Sequence, residues 1–540
     1  MASSKSTGKK SSKTTSWPAL KKGKKTPSKS VQELSAKSAA KAPTATRVFD
    51  MIVIGSGPAG QRAALQGAKA GKSVAMIESH PQVGGGCVHV GTLPSKSFRE
   101  SVYRYSLGSR GTLGQESEHY VKMDLKNSTR KNLPLPDMLR LLRRRDRVVS
   151  GESTVIFDQL RRNHITLFQG HARFLTTNDV EVTSAKGKEV VTGDFIFIAV
   201  GARPVAPAHL AIDAKFVFDS NTILTLKKVP KSMVVLGAGI IGCEYASMFA
   251  MAGTKVHLVD RRNEILASVD REIVNHLVER FDAEGMEILL GCEADKIERK
   301  ETRRKAGDRE APATFSKVHL SNGRKINAEV VLVSQGRFGN TEGLGLEEVG
   351  VIRDDRGLVK VDAHFRTAIP NIYAMGDVIG APALASTSME QGRIACCHAF
   401  QVRSGGPFEE YKMPVLYPYG IYTIPEISMI GRTEEDLVNE KADFVVGRAR
   451  YRELARGQIV GDHWGLLKLM VDKKSLKLLG IHIIGDNAAD LIHIGQAVMA
   501  LGGDVNYFIN SVFNYPTLAE AYKTAAFHAV NQIKGVTRTI

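Results

Sequence analysis

Three glycines near the start of the chain have the spacing of a phosphate-binding turn. Gly55, Gly57 and Gly60 follow the segment 48–54, which is apolar except for Asp50, and precede a segment with helical spacing of Ala and Leu. The first glycine permits a tight turn, the second lets a pyrophosphate approach the backbone, and the third allows helix and strand to pack closely. Glu78, 23 residues after Gly55, ends a second apolar run and can accept hydrogen bonds from a ribose. The pattern predicts a dinucleotide site.

A second copy of this pattern lies near the middle of the chain. Gly237, Gly239 and Gly242 follow the apolar run 233–236, and Asp260 stands 23 residues after Gly237. One glycine pattern alone also occurs in turns that bind nothing. Two complete strand–turn–helix–strand–acid units with one spacing predict two bound dinucleotides.

Two basic residues follow the second acid. Arg261 and Arg262 come directly after Asp260. The carboxylate can accept the ribose hydroxyl of NADH, and the guanidinium groups can bind the 2′-phosphate of NADPH. Two arginines after a strand also fit a solvent-exposed turn, so the sequence leaves both interpretations open.

The positions of these motifs indicate an α/β fold. We expect two doubly wound dinucleotide-binding domains with parallel sheets and a C-terminal α+β domain. The first dinucleotide domain is predicted over 48–205 and 336–410, the second over 206–335, and the C-terminal domain over 411–540. An insertion around 107–135 is expected to form a loop or a helical hairpin.

Residues 1–47 differ in composition from the rest of the chain. They contain eleven Lys, one Arg and one Glu, so they carry +11 of the net charge of +18. A Lys-, Ser- and Thr-rich segment with few large apolar residues is predicted to be disordered. This segment is either a solvated arm without a binding role or a segment that contacts polyanions non-specifically.

The composition of the whole chain is that of a globular protein, with 43% hydrophobic and 24% charged residues. No apolar run approaches the ~18 residues of a membrane-spanning helix, and no signal peptide is apparent. Five cysteines without metal-ligand spacing favour a reducing compartment, so we expect a cytoplasmic protein without a metal site.

Cys87 is the residue of this chain that suggests redox chemistry. It lies in the segment Gly84–Lys96, with the sequence GGGCVHVGTLPSK, which contains no other thiol. A single thiol cannot close an internal disulfide. Electrons that reach a group bound beside Cys87 therefore need another acceptor, and a nicotinamide is the acceptor that the second dinucleotide site suggests. Cys87 also fits a small apolar packing residue.

Three further segments carry a resemblance to a known family. Together with the two glycine patterns, Gly84–Lys96, Thr367–Asp377 and Tyr515–Glu520 resemble the flavin-dependent pyridine nucleotide-disulfide oxidoreductases over about residues 48–535. The resemblance implies that the first pattern binds FAD, the second binds NAD(P), and the C-terminal domain forms a homodimer.

The same resemblance implies two sets of binding residues. The FAD set is Gly55, Gly57, Gly60, Glu78, Ser79, His80, Pro81, Gln82, Val83, Gly84, Gly85, Gly86, Cys87, Lys96, Gly376 and Asp377. The NAD(P) set is Gly237, Gly239, Gly242, Glu244, Asp260 and Arg261. Lys96 is implied to lie beside the reactive flavin nitrogen and to pair with Glu244, and these two residues are the predicted catalytic pair.

Two departures from the disulfide reductases of this family affect the predicted reaction. Thr92 occupies the position of their second cysteine, and Tyr515 occupies the position of their acid–base histidine. A phenol with a pKa near ~10 cannot exchange protons at neutral pH as an imidazole near ~6.5 does. Both the dithiol and its base are therefore missing.

Within the family, the sequence is similar to the soluble, Si-specific transhydrogenases, which also combine Gly-Gly-Gly-Cys with Gly-Thr-x-Pro-Ser-Lys. This similarity implies ping-pong hydride transfer from NADPH to NAD+ through FAD, with NAD(H) and NADP(H) as substrates. One alternative is an NAD(P)H diaphorase or oxidase that reduces oxygen, quinones or metal ions. Another is a flavoprotein whose basic tail mainly binds nucleic acid.

Overall fold

The computed structural model describes residues 47–109, 135–301, 314–402, 413 and 416–536. Residues 1–46 of the predicted disordered tail lie outside these ranges, and Arg47 is the first residue of a strand. Most of the predicted insertion around 107–135 also lies outside the described residues. The elements below all belong to the unit Thr44–Ile540.

The first dinucleotide-binding unit is built on a seven-stranded sheet. Its elements are β1 (Arg47–Ile54), α1 (Pro58–Lys69), β2 (Val74–Glu78), α2 (Gly85–His89), α3 (Thr92–Ser109), α4 (Met138–Arg162), β3 (Thr166–Gln169), β4 (His171–Phe174), β5 (Asp179–Ser184), β6 (Gly187–Ile198) and β7 (Ala202–Pro204). β1 pairs in parallel with β2 and β6, and β2 pairs in parallel with β3. β4 and β5 extend the sheet in antiparallel orientation beside β6.

The second unit repeats the parallel arrangement. Its elements are β8 (Val217–Asp219), β9 (Ser232–Leu236), α5 (Ile240–Met251), β10 (Lys255–Asp260), α6 (Arg271–Ala283), β11 (Glu287–Leu290), β12 (Ala294–Glu301), β13 (Thr314–Leu320), β14 (Lys325–Ala328), β15 (Val330–Val333) and β16 (Arg337–Gly339). Five strands pair in parallel in the order β11-β10-β9-β15-β8. β12, β13 and β14 form a separate antiparallel sheet, and β16 pairs with β7.

After the second unit the chain returns to the first sheet. β17 (Ile372–Ala374) pairs in parallel with β6, and α7 (Ala385–Phe400) packs on α1. The close packing depends on Gly392, since a side chain there would meet the carbonyl oxygen of Ala59. The strand therefore delivers the residues that follow it to the same sheet edge as the first glycine turn.

The C-terminal domain is an antiparallel sheet covered by helices. Its elements are β18 (Tyr419–Ile421), β19 (Ile427–Gly431), α8 (Glu434–Asn439), β20 (Phe444–Arg450), α9 (Ala455–Val460), β21 (Leu466–Asp472), β22 (Leu478–Ile484), α10 (Ala488–Ala500), α11 (Asn506–Asn510) and α12 (Glu520–Ile533). The strand order is β18-β19-β22-β21-β20. α10 and α12 pack on this sheet and share its hydrophobic core. The predicted fold class, two dinucleotide-binding domains plus an α+β domain, is confirmed.

A buried ion pair joins the second unit to the C-terminal sheet. Lys468 of β21 is almost inaccessible, and its Nζ lies 2.8 Å from Oδ1 of Asp270, the residue that caps the N-terminus of α6. Burial raises the pKa of Asp270, but the charges of His482 and Lys468 and the hydrogen bonds from Lys468 and the backbone N–H of Glu434 outweigh burial and keep that pKa below its usual range.

None of the helices in the described ranges has the length and apolar character needed to cross a membrane.

Candidate active site

Both glycine turns open into one cleft of about 1700 Å³. Gly57 of the first turn and Gly239 of the second both line it, together with Lys96 from α3, Asp377 after β17 and Tyr422 after β18. Parallel α/β sheets bind nucleotides at the carboxyl ends of their strands, which is where both turns lie.

The glycine turn between β1 and α1 needs glycine at two positions, and at a third position it has free space beside the backbone. Gly55 has φ +103°, a left-handed conformation that favours glycine, and a side chain there would meet the carbonyl of Ala199. Gly60 packs against the carbonyl of Gly55, which holds α1 close to β1. At Gly57 no atom lies within 4 Å of the position a Cβ would take. The space at the start of α1 is therefore open, and the backbone N–H groups that follow Pro58, which has none itself, fit the pyrophosphate of a dinucleotide.

The second turn has the same geometry. Gly237 has φ +107° and lies against Ser334, while Gly242 packs against the carbonyl of Gly237. Gly239 again has no atom within 4 Å of a Cβ position. This open turn at the start of α5 fits a second dinucleotide.

The acid of the first unit is held by neutral donors. Glu78 is buried, and its carboxylate accepts hydrogen bonds from the backbone N–H of Ser56 at 2.9 Å, the Ser56 hydroxyl at 2.5 Å and the backbone N–H of His80 at 2.7 Å. The Ser56 hydroxyl oxygen also accepts the backbone N–H of Gly84 at 2.9 Å. Glu78 thus links the glycine turn to the segment that precedes α2.

The acid of the second unit is covered by a cation. Asp260 is buried, and Arg262 donates to it from Nε at 3.0 Å, from Nη2 at 2.8 Å and from its backbone N–H at 2.9 Å. The backbone N–H of Ala238 donates to it at 2.6 Å. Burial raises the pKa of Asp260, but the hydrogen bonds from Arg262 and Ala238 outweigh burial and lower that pKa overall. Both arginines line the cleft, and Arg262 also contacts the acid.

Lys96 is held in the cleft by a buried carboxylate. Its Nζ lies 2.7 Å from Oε2 of Glu244, whose side chain is 5% exposed. The other oxygen of Glu244 accepts the backbone N–H of Tyr422 at 2.8 Å. The ammonium group also lies 5.0 Å from the centre of the Tyr422 ring. The three residues come from α3, α5 and the segment after β18, and they fix one positive charge at the wall of the cleft.

Cys87 is a free thiol in α2 that lines the same cleft. Burial raises its pKa, and a hydrogen bond from the side chain of Thr92 partly offsets that increase. Cys292 is the other thiol along the cleft, and its backbone N–H bonds to the carbonyl of Asp260, which places it in the second unit. Cys87 therefore lacks a partner thiol at its own end of the cleft among the residues that the structure describes.

Asp377 reaches the cleft directly after β17. Gly376 has φ +80° and donates its N–H to Oε1 of Gln391 at 2.8 Å, which fixes the turn. Burial raises the pKa of Asp377, and the guanidinium of Arg337, with Nε 3.9 Å from the carboxylate, opposes that increase. A carboxylate in this position can accept a hydrogen bond from a polyol hydroxyl.

The structure brings most of the predicted site residues together. Besides those already described, Ser79, His80, Gly85 and Gly86 line the cleft. Six predicted residues do not line it: Gly60, Pro81, Gln82, Val83, Gly84 and Gly242. Tyr515, where the disulfide reductases carry their histidine, is 74% exposed and also lies outside the lining.

Sequence reasoning missed the contribution of Tyr422. This residue is 178 positions from Glu244 in the chain, and its contact with Glu244 uses its backbone N–H, which any residue type provides. The described residues also contain no group of three or more His, Cys, Asp or Glu side chains placed to hold a metal ion.

The chain matches one known protein family over most of its length. Residues 49–392 match the pyridine nucleotide-disulphide oxidoreductase family, and residues 417–526 match the dimerisation domain of the same family. The chain belongs to the pyridine nucleotide-disulphide oxidoreductase family, as predicted. The family uses FAD together with NAD(P)H, so the cofactor prediction is confirmed at the level of the family.

Two bacterial relatives cover almost the whole chain. A protein of Mycobacterium tuberculosis named soluble pyridine nucleotide transhydrogenase is 44% identical over 493 residues, which is 91% of this chain and 99% of that relative. A protein of the same name from Yersinia enterocolitica is 40% identical over 489 residues, covering 90% of this chain and 98% of the relative.

Solved structures show the same architecture. The HOCl-induced flavoprotein disulfide reductase RclA of Escherichia coli superimposes with a TM-score of 0.75 at 26% identity, covering 89% of this chain and 99% of that one. LpdA of Mycobacterium tuberculosis has the same fold, with a TM-score of 0.75 at 24% identity over 89% of this chain and 99% of its own.

Proposed function

We propose that this protein catalyses hydride transfer between nicotinamide dinucleotides, NADPH + NAD+ ⇌ NADP+ + NADH, with FAD as its bound cofactor. The observation that carries the proposal is the composition of the cleft. Two open glycine turns and the Lys96–Glu244 pair line it, while Cys87 has no partner thiol beside it among the described residues. The printed names of the two relatives support the same reaction.

The proposed FAD site follows from the first glycine turn. FAD, when bound, supplies a group that accepts a hydride from one nicotinamide and donates it to another. The predicted residues that line the cleft on this side would hold it: Gly55, Gly57, Glu78, Ser79, His80, Gly85, Gly86, Cys87, Lys96, Gly376 and Asp377.

The proposed NAD(P) site follows from the second glycine turn. The residues assigned to it line the other part of the cleft: Gly237, Gly239, Glu244, Asp260, Arg261 and Arg262. The N–H groups at the start of α5 would bind the pyrophosphate. Because the described residues form one cleft of this kind, we propose that the two nicotinamide nucleotides bind in turn, which gives ping-pong kinetics.

Lys96 has the electrostatic role in this proposal. The Lys96 side chain is one quarter exposed, and its ammonium group is held by the carboxylate of an almost fully buried side chain. A positioned cation in a partly desolvated cleft stabilises negative charge that develops during hydride transfer. Glu244 keeps the cation in place, and the ring of Tyr422 covers it on one side.

The Asp260–Arg262 pair is the feature that we assign to the use of both nucleotides. The buried carboxylate can accept the adenosine ribose hydroxyl of NADH, and the half-exposed guanidinium can bind the 2′-phosphate of NADPH. Each group neutralises the other when neither ligand is bound. The pair therefore does not repel a 2′-phosphate as an isolated carboxylate would.

The family's dimerisation domain supports a homodimer. Residues 417–526 match that domain, and several large side chains at its surface are exposed on the isolated chain, including Tyr507, Val512 and Tyr515. We propose that a second copy covers part of this surface. Light scattering of the full chain tests this proposal. We expect the mass of two chains, and the mass of a single chain would contradict it.

The proposed reaction is tested by anaerobic turnover of the purified flavoprotein with NADPH and thio-NAD+. We expect thio-NADH to form, and initial rates at several NADPH concentrations to give parallel double-reciprocal lines. Lipoamide replaces thio-NAD+ in a matched reaction and should not be reduced. Reduction of the flavin by NADPH without thio-NADH formation would refute the proposal and favour the diaphorase or oxidase reaction, which oxygen uptake with NADH would then reveal.

A further inference from the structure

Helix α3 contacts three other elements through one of its faces. Lys96, Arg99 and Tyr103 are spaced three and four residues apart, so they project from the same side of the helix. Lys96 pairs with Glu244 of α5, as described above. The other two side chains contact the C-terminal domain. Helix α3, which carries the Lys96 cation, is thus bonded both to α5 of the second unit and to the C-terminal domain.

Arg99 makes the central contact of this face. Its side chain is 7% exposed, Nη1 lies 3.0 Å from Oε1 of Glu426, and Nε donates to the backbone carbonyl of Thr423 at 3.1 Å. A guanidinium group can make both contacts at once because its donors are fixed in one plane. Arg99 therefore holds the segment that follows β18.

The same short segment is held from its other side by α5. The backbone N–H of Tyr422 donates to Oε1 of Glu244 at 2.8 Å, and the backbone N–H of Ile424 donates to Oγ of Ser247 at 3.2 Å. The carbonyl between these two N–H groups accepts the bond from Arg99. Residues 422–424 thus connect the guanidinium on α3 to the carboxylate on α5.

Glu244 is the point where these contacts meet Lys96. One carboxylate oxygen accepts from Lys96 and the other accepts from Tyr422, so the orientation of the carboxylate depends on both. If residues 422–424 shift, the carboxylate loses one of its two donors. Its position relative to the ammonium group then changes as well.

We propose that Arg99 is a positioning residue for the Lys96–Glu244 pair and that it acts through residues 422–424. The inference rests on the role given to Lys96 in the proposed function. Arg99 itself is absent from the lining of the cleft. Arg99 therefore makes no direct contact with either nucleotide in this proposal, and its effect on hydride transfer passes through residues 422–424 to the cation.

Tyr103 provides a matched control on the same helix. Its hydroxyl donates to the carboxylate of Asp486, with both oxygens at 2.7 Å, so it also ties α3 to the C-terminal domain. In the described part of the chain, no hydrogen bond joins Tyr103 to residues 422–424. The Arg99 guanidinium lies over the Tyr103 ring, 5.4 Å from its centre. Tyr103→Phe keeps that ring and removes only the hydroxyl contact with Asp486.

The test is a double-mutant cycle on the full FAD-bound protein with Arg99→Met and Lys96→Met. The two readouts are the rate of flavin reduction by NADPH, followed by stopped-flow absorbance, and the midpoint potential of the bound flavin, measured by titration against a reference dye. We expect Arg99→Met to slow reduction about 10- to 100-fold and to make the potential more negative, because misplacing a reacting group by about 1 Å has effects of this size.

In the Lys96→Met background, Arg99→Met should change neither readout further. Tyr103→Phe should leave both unchanged. Independent, additive effects of the two changes would overturn the proposal, and so would an unchanged rate and potential in Arg99→Met. If Arg99→Met does not fold, Arg99→Lys takes its place, since an ammonium can keep the pair with Glu426 but cannot reproduce the planar guanidinium contact with both acceptors.

Failure of the proposal for Arg99 can be distinguished from failure of the proposed transhydrogenase reaction. Flavin reduction by NADPH is measured without NAD+, so it does not depend on which acceptor takes the electrons afterwards. Normal flavin reduction with no thio-NADH would refute the transhydrogenase reaction and would leave the cycle between Arg99 and Lys96 fully interpretable.

Discussion

Replacing Arg262 by alanine is expected to change the preference of this protein between its two substrates. The substitution removes the two guanidinium bonds to Asp260, at 3.0 and 2.8 Å, and keeps the bonds from the backbone N–H groups of Arg262 and Ala238. NADPH then loses the cation that we assign to its 2′-phosphate. NADH keeps the carboxylate that we assign to its ribose.

The size of the effect follows from the exposure of the guanidinium. A hydrogen bond to a charged group contributes about 1.5–3 kcal/mol. The Arg262 side chain is 46% exposed, so water screens it and the lower end of this range applies. A loss of about 1.5 kcal/mol corresponds to roughly a 10-fold lower kcat/KM for NADPH. The value for NADH should stay within about 2-fold, because the carboxylate that binds it remains.

The assay compares kcat/KM for NADPH and NADH with one artificial electron acceptor, so that both nucleotides are measured as donors. Lys255→Ala is the matched control, since Lys255 is an exposed cation at the start of the same strand and lies outside the cleft lining. An unchanged NADPH/NADH ratio in Arg262→Ala, or an equal loss for both nucleotides, would refute the role given to this pair.

Three further changes have expected outcomes. Lys96→Met should slow flavin reduction by NADPH about 100-fold, because a positioned cation is lost, and Lys96→Arg should retain most of the rate in stopped-flow measurements; equal loss in both variants would argue against a charge effect. Thr92→Cys should place a second thiol near Cys87 without creating efficient lipoamide reduction, because the acid–base histidine is still missing, and rapid lipoamide turnover would contradict this explanation. Lys468→Met should lower the free energy of unfolding by about 3–5 kcal/mol in urea melts at pH 7, because Asp270 stays buried without its cation, and a change below about 1 kcal/mol would contradict it. Since the pKa of Asp270 is depressed in the folded protein, its contribution is present above about pH 4 and is lost as the pH falls through the folded-state pKa, so the two proteins should converge in acid.

The sequence predicted the parallel parts of the fold because they repeat. Each glycine pattern is a local signal whose strand, turn and helix are adjacent in the chain, and both turns have the expected left-handed first glycine. The antiparallel strands β4 and β5 and the separate sheet of β12 to β14 were not predicted. Their pairing depends on contacts between segments of ordinary composition, which carry no motif.

The candidate site was predictable where a motif requires a particular residue type at a particular position. Lys96 and Glu244 were placed together by resemblance, and the structure puts their charged atoms 2.7 Å apart. The predicted NAD(P) set names Arg261, and the structure shows that both arginines line the cleft while the guanidinium that bonds Asp260 is that of Arg262. Which of two adjacent side chains folds back onto the acid is decided by the backbone turn, and the sequence alone does not specify it.

The central claim is tested most directly by a stoichiometric transfer without turnover. The purified protein is reduced anaerobically with one equivalent of NADPH per flavin, NADP+ is removed by gel filtration, and NAD+ is added. The account predicts that the flavin is reoxidised and that one equivalent of NADH appears per flavin. Flavin that stays reduced in the presence of NAD+, or that is reoxidised only when oxygen is admitted, would contradict it.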